Sequence, residues 1–330
     1  MKLVIAGLIA TAGLSGAAAA QQQAARSISA TDKQQGAAAN PQLIAEFGGA
    51  YTGPQAAYVT RVGKRVALES GLSNAAGDFT VTTLDSPVEN AFAIPGGYIY
   101  ITRQLLALMN SEAELASVLG HEVGHVAARH AASRNKRSTI GAILAAGAGI
   151  VTKSDLAQRV VGTGTQLYTL RYGRNQEYEA DALGVRYIAA AGYNPYAAAD
   201  MLSALDASSS LNAQASGTGG RSVPSWASTH PNGEDRVQRA VQLAAATGRP
   251  EAPAPQDTAF LRMLDGLPYG TAADRKVIRI VTVGPRDTIA SLSARMAFSD
   301  LKEERFTTLN SLDPEKPLRP GILVKLVVAR

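Results

Sequence analysis

The chain has 330 residues, 46% of them hydrophobic, 18% charged and 5% aromatic, with a formal net charge of +5 and no cysteine. That composition excludes a disordered polyanion, a collagen-like repeat and a disulfide scaffold, and the length suits about two domains. Thiolate nucleophiles, iron–sulfur clusters and thiolate zinc sites are absent, and the basic residues are too scattered for a nucleic-acid-binding stripe, which leaves His, carboxylates and hydroxyls to carry any chemistry.

Met1-Lys2, the apolar run Leu3 to Leu14 and Ala18-Ala19-Ala20 read as a cleavable export signal over residues 1–20. The run is shorter than the roughly 20 residues a membrane span needs, so the mature chain is expected to carry no transmembrane span and to reach the periplasm. Residues 21–40, rich in Ala, Gln and Ser without a period, predict a flexible lead-in, with structure beginning near Pro41. Apolar residues at helical spacing predict a helix over Gln55 to Leu68 that stops at Gly71, and Phe79 to Leu84 alternates as a strand. Asn90-Ala91-Phe92-Ala93-Ile94 and Tyr98 to Thr102 predict two β segments around the Pro95-Gly96-Gly97 turn.

The chemistry centres on His121-Glu122-Val123-Gly124-His125. Ser111 and Glu114 form an upstream capping box, and Leu115, Val118, Leu119 and Val126 give a periodic apolar face, so the pentapeptide is expected on a helix. Residues four apart project from one face, so His121 and His125 can share one metal ion while Glu122 approaches a ligand on that ion. A catalytic zinc site usually takes three protein ligands. His130 lies five positions after His125, about 140° around a continued helix, and is not expected to face the ion.

Ile140 to Val151 is apolar but too short to span a membrane, and is expected over the cleft or in the core. Carboxylates then cluster in Asn175 to Asp181 at the start of a second helix. Glu177 and Asp181 share a face there, while Glu179, about 200° away, should point to solvent. A carboxylate one turn beyond a ligating Glu can accept the spare N–H of a ligating His; the alternative is a solvated acidic first turn favoured by the helix dipole. Tyr172, Arg174 and His230 are candidate donors to a developing oxyanion.

Gly248 to Pro255 marks a linker, taken as residues 249–275, that separates a domain over 41–248 from one over 276–330. In the second, Val277 to Val283 predicts a strand, Asp287 to Met296 a helix opened by Asp287, and Leu318 to Leu326 a closing strand.

The HExxH, Glu177 with Asp181, the Asn90 to Thr102 segment and His230-Pro231 together resemble the zinc metallopeptidases that include the HtpX-type membrane proteases and the CAAX prenyl endopeptidases, over about Tyr51 to Leu243. The lack of long apolar spans is similar to the soluble, periplasmic, BepA-like branch. The resemblance implies a helix-dominated α+β gluzincin domain whose small sheet offers an edge strand, Asn90, Ala91, Phe92 and Ala93, to an extended polypeptide substrate. It also implies one Zn2+ per chain held by His121, His125 and Glu177, with Glu122 as the base and Asp181 behind a ligand. In that family the His-Pro loop runs close to the zinc cleft, and His230 has three candidate roles there: oxyanion donor, fourth ligand that latches the site, or structural loop histidine. The C-terminal part resembles a βααβ LysM module, a class that binds N-acetylglucosamine glycans such as peptidoglycan. Arg286 stands where such modules usually have Gly, and glycan binding and a structural cap both stay open. The function expected is an exported zinc metalloendopeptidase acting on extended or misfolded envelope proteins. The competing expectation is a peptidoglycan-binding or chaperone-like scaffold with an idle or latent site.

Overall fold

The structure, a computed structural model, describes residues 27–131, 172–216, 226, 230, 234–252 and 255–330. Residues 1–20, expected to be an export signal, and the Ile140 to Val151 run, expected over the cleft or in the core, lie outside the described residues. Helices α1 (Ala30–Glu46), α2 (Pro54–Leu68) and the short α3 (Ala75–Asp78) lead into strands β1 (Thr80–Leu84), β2 (Ala91–Ile94) and β3 (Tyr98–Thr102). Helices α4 (Arg103–Leu108), α5 (Glu112–Ala127), α6 (Arg174–Ala190), α7 (Ala197–Ser216) and α8 (Glu234–Ala246) follow. The chain is thus a helix-rich α+β protein.

The first sheet has the order β1-β3-β2, with β1 parallel and β2 antiparallel to β3. Alternation along the strands sends the two faces to different partners. Ala91, Ala93, Ile99 and Ile101 join the main core with Val59, Val62 and Val66 of α2 and Leu115, Leu119 and Val123 of α5. Phe92, Ile94 and Tyr100 face the other way and meet Ala39, Leu43 and Phe47. This second face corrects the expectation of a flexible lead-in over residues 21–40. Helix order begins at Ala30, capped by the Ser29 side chain, which accepts from the Asp32 N–H at 3.1 Å. The Phe47 and Phe92 rings are 5.0 Å apart, and the Tyr100 hydroxyl donates to Asn40 Oδ1 at 2.7 Å. An alanine-rich helix needs few large residues of its own when the sheet supplies the apolar surface.

The expected linker over 249–275 is corrected too. It contains helix α9 (Thr258–Met263) and strand β4 (Pro268–Tyr269), and buries Phe260, Leu261, Leu264 and Leu267. Asp257 accepts from the N–H of Phe260 and from that of Glu112, both at 3.0 Å, so one carboxylate caps α9 and ties it to the start of α5. Beyond it come β5 (Lys276–Thr282), α10 (Ile289–Ser293), α11 (Lys302–Leu309) and β6 (Leu323–Ala329), with an antiparallel sheet ordered β4-β5-β6. The strand, helix, helix, strand order agrees with the expected one. Thr288 caps α10 in place of Asp287, whose carboxylate accepts from the Gly284 N–H at 2.7 Å.

The C-terminal unit is bolted to the rest. Arg103 donates to the carbonyls of Pro268 and Gly270 at 3.1 and 2.8 Å. Lys325, fully buried, donates to the carbonyls of Ala107, Leu108 and Met109 at 2.8, 2.9 and 2.7 Å. Those are carbonyls that the end of α4 leaves without intrahelical partners, so the ammonium acts as a C-terminal cap supplied from another sheet. Burial pushes Lys325 down to about 7 and the neighbouring Glu114 up to about 7.

Candidate metal centre

Helix α5 starts as expected: Ser111 Oγ accepts from the Glu114 N–H at 3.1 Å. Glu114 returns the bond one residue early, accepting from the Asn110 N–H at 2.8 Å. The helix then runs between the first sheet and α6, and small residues set that second spacing. A Cβ on Gly184 would stand 2.9 Å from the His121 nitrogen, and one on Gly124 would stand 3.0 Å from the Ala180 carbonyl oxygen. With the two backbones this close, the side chains of His121 and His125 on α5 meet those of Glu177 and Asp181 on α6.

Four donors converge. His121 Nε2 is 3.0 Å from His125 Nε2, 3.2 Å from His230 Nδ1 and 3.5 Å from Glu177 Oε2. Glu177 Oε1 is 3.6 Å from His125 Nε2 and 3.1 Å from His230 Nδ1. All four residues are buried, with one ligand atom from each inside 4.8 Å. Nitrogen ligands about 2.0–2.1 Å from a tetrahedral ion stand roughly 3.3 Å from one another. The donor set of three imidazoles and one carboxylate therefore fits a metal ion in chemistry and in spacing.

Arg236 braces the carboxylates. It donates to Asp181 through Nε at 2.8 Å and Nη2 at 2.7 Å, and its Nη1 is 3.2 Å from Glu177 Oε2. Asp181 Oδ1 in turn lies 2.9 Å from His121 Nδ1, which places the imidazole proton on Nδ1 and turns the Nε2 lone pair toward the cluster. Burial would raise Asp181, but Arg236 and His121 outweigh it and hold its carboxyl low. Against burial, His230 and His121 hold Glu177 well below the usual carboxylate range. His121 is opposed by burial, yet Asp181 and Glu177 lift it to about 9. His125 goes the other way, pushed well down by burial and by His121.

Glu122 is fully buried, with both oxygens lacking a well-formed hydrogen bond among the described residues and the Trp226 indole as its neighbouring donor. Burial holds its carboxyl above the ordinary range, with His230 and His121 pulling against that; His230 Nε2 is 3.6 Å from Glu122 Oε1. Trp226 stacks on His230 at 4.7 Å, and its backbone N–H donates to the Glu89 carbonyl beside the start of β2 at 2.7 Å.

The structure brings together most of the residues singled out in the sequence. Tyr172 stacks on His125 at 3.8 Å, whereas Arg174 is exposed on the first turn of α6. Asn90 to Ala93 lie at the edge of the first sheet, where β2 pairs only with β3 among the described residues. A cleft lined by Ala93, Ile94, His125, Val126 and Tyr172 runs beside them. His130 stays outside the donor set, as expected, but is not turned away. Helix α5 ends at Ala127, Arg129 takes a left-handed φ of 56°, and His130 swings back to lie 2.8 Å from His125 Nδ1. Glu179 is exposed, as expected, and one of its oxygens also lies 3.2 Å from His130 Nε2. Arg236 and Trp226 carried no signal strong enough to be found in sequence, except that Trp226 is the single tryptophan of the chain.

An HExxH helix packed on a carboxylate-bearing helix, with the donors buried at their crossing, defines a metallopeptidase. Residues 54–244, more than half of the chain, match peptidase family M48, and the chain belongs to that family. It is 31% identical over 188 residues to the mitochondrial metalloendopeptidase OMA1 of Schizosaccharomyces pombe, a match covering 56% of this chain and 52% of that protein. The Arabidopsis thaliana OMA1 is 34% identical over 163 residues, 49% of this chain and 31% of that protein. The beta-barrel assembly-enhancing protease of Escherichia coli K12 is 30% identical over 152 residues, 42% of this chain and 30% of that protein. The chain spans about half or less of the length of these relatives.

Proposed function

We propose that the protein is an exported, zinc-dependent endopeptidase that cleaves extended or misfolded envelope polypeptides, with His121, His125 and Glu177 holding one Zn2+. The carrying observation is the convergence of those three side chains, 3.0–3.6 Å apart, beside a buried Glu122. Zinc held there would supply Lewis acidity, polarising the scissile carbonyl and lowering the pKa of water. Glu122, kept high by burial, is suited to take a proton from water and return it to the leaving amine. The edge of β2 that pairs with no strand among the described residues gives an extended peptide a backbone to pair with, and the cleft beside Ala93 and His125 gives its side chains a place. The resemblance to beta-barrel assembly-enhancing proteases and the signal-like first 20 residues support an envelope substrate and a periplasmic location.

His230 is read as a latch. Its Nδ1 stands among the donors, its ring is stacked on Trp226, and the Trp226 N–H pins that residue to Glu89. A fourth protein ligand would have to leave before water could be activated. The C-terminal unit is assigned a bracing role, supported by Lys325 and Arg103. Casein cleavage by the purified protein, abolished by a chelator and restored by Zn2+, tests the activity. His230→Ala separates the roles of that residue: a latch gives faster turnover, loss of an oxyanion donor gives turnover about 100- to 1000-fold slower, and no change leaves a structural loop histidine.

A further inference from the structure

His121 and His125 are supported in different ways. Behind His121 stands Asp181, a buried carboxylate clamped by Arg236. Behind His125 stands another imidazole: His125 Nδ1 faces His130 Nδ1 at 2.8 Å. Only one of those two nitrogens can carry the proton between them. With His125 Nε2 turned to the other donors, 3.0 Å from His121 Nε2, its proton sits on Nδ1 and His130 Nδ1 must accept. The proton of His130 is then on Nε2, 3.2 Å from Glu179 Oε2. The backbone holds this geometry, because the His130 N–H donates to the His125 carbonyl at 3.1 Å and Gln176 Nε2 donates to the His130 carbonyl at 3.4 Å.

We infer that His130 and Glu179 are positioning residues that fix the tautomer and ring orientation of His125 as a metal ligand, through two successive hydrogen bonds ending at the protein surface. The inference rests on the zinc reading above and adds two residues to it. The chain is graded: His130 is 3% exposed, whereas the Glu179 side chain is 61% exposed, so water can replace much of what Glu179 supplies but little of what His130 supplies.

The test uses the full chain and reads zinc affinity by competition with a chromophoric chelator, together with the visible spectrum of the Co2+-loaded protein. His130→Leu, which keeps bulk and removes the acceptor, is expected to weaken zinc binding by about 10- to 100-fold and to shift the cobalt bands. His130→Gln should recover much of that loss, since its amide oxygen can accept from His125 Nδ1–H. Glu179→Ala should weaken zinc by about 2- to 10-fold, and by nothing further once His130 is Leu. If His130→Leu does not fold, the exposed Glu179→Ala variant decides. Wild-type affinity and an unshifted cobalt spectrum in Glu179→Ala would overturn the relay, as would a His130→Gln variant no better than His130→Leu. An unaltered chain that binds no zinc would overturn the metal reading itself.

Discussion

Gly184 on α6 faces His121 on α5 so closely that a Cβ at position 184 would meet the His121 nitrogen at 2.9 Å and the Gly120 carbonyl carbon at 3.1 Å. Both neighbours are backbone and cannot rotate aside. Gly184→Ala should therefore force the helices apart, costing about 1–3 kcal/mol and separating Glu177 from the histidines. Denaturant unfolding and a zinc titration check this together, and a variant with wild-type stability and zinc affinity would show that the spacing is not critical.

Arg236 neutralises two buried carboxylates. Replacing it by Met leaves Asp181 and Glu177 without their guanidinium partner, which should cost about 3–5 kcal/mol of stability in the metal-free protein. Arg236→Lys should recover only part, because one ammonium cannot reproduce the paired bonds of Nε and Nη2 to Asp181. Equal denaturation midpoints for Met and Lys would argue against a specific clamp.

Lys325 predicts that the C-terminal unit cannot be removed cleanly. Lys325→Met keeps the volume but strips three carbonyls at the end of α4 of their donor, at about 1–3 kcal/mol for a buried group left unpaired. A chain ending at Pro255 loses Phe260, Leu264 and Leu267 from the shared core and should be poorly soluble or rapidly degraded. A soluble, protease-resistant truncated chain would refute the brace.

The metal-free centre should titrate. Asp181 and Glu177 lift His121 to about 9 despite burial, above its ordinary value near 6.5. A raised folded-state value stabilises the protein fully below about pH 6.5, and the contribution is lost as the pH rises through about 9. The melting temperature of the chelator-treated protein is thus expected to fall over that window. Asp181→Asn should flatten the fall, and a melting temperature independent of pH over that range would contradict it.

How far the sequence could be read follows from what each residue depends on. Helix α5 was legible because its cap, its period and the HExxH are local, and Glu177 with Asp181 could be paired from their spacing alone. The contact of His130 with His125 is not legible because a continued helix would turn His130 away, whereas Arg129 at a φ of 56° ends the helix; Glu179 is exposed, as its position on the helix predicts. Arg236 is one charge on an amphipathic helix until the fold carries it to Asp181. Helix α1 has no strong period, and what orders it is the far face of the sheet, Phe92 and Tyr100. The fusion of the C-terminal unit to the core depends on Lys325 meeting a helix end more than 200 residues earlier, at separations of 216 to 218.

The division of labour at the centre is tested most directly in Glu122→Gln, by measuring bound zinc and casein cleavage on the same sample. Glu122 is not among the four converging donors, so the variant should still bind one zinc per chain. Without its base, cleavage should fall by about 100- to 10,000-fold. Near-normal cleavage, or zinc lost along with activity, would contradict the assignment of Glu122 as base beside a metal held by His121, His125 and Glu177.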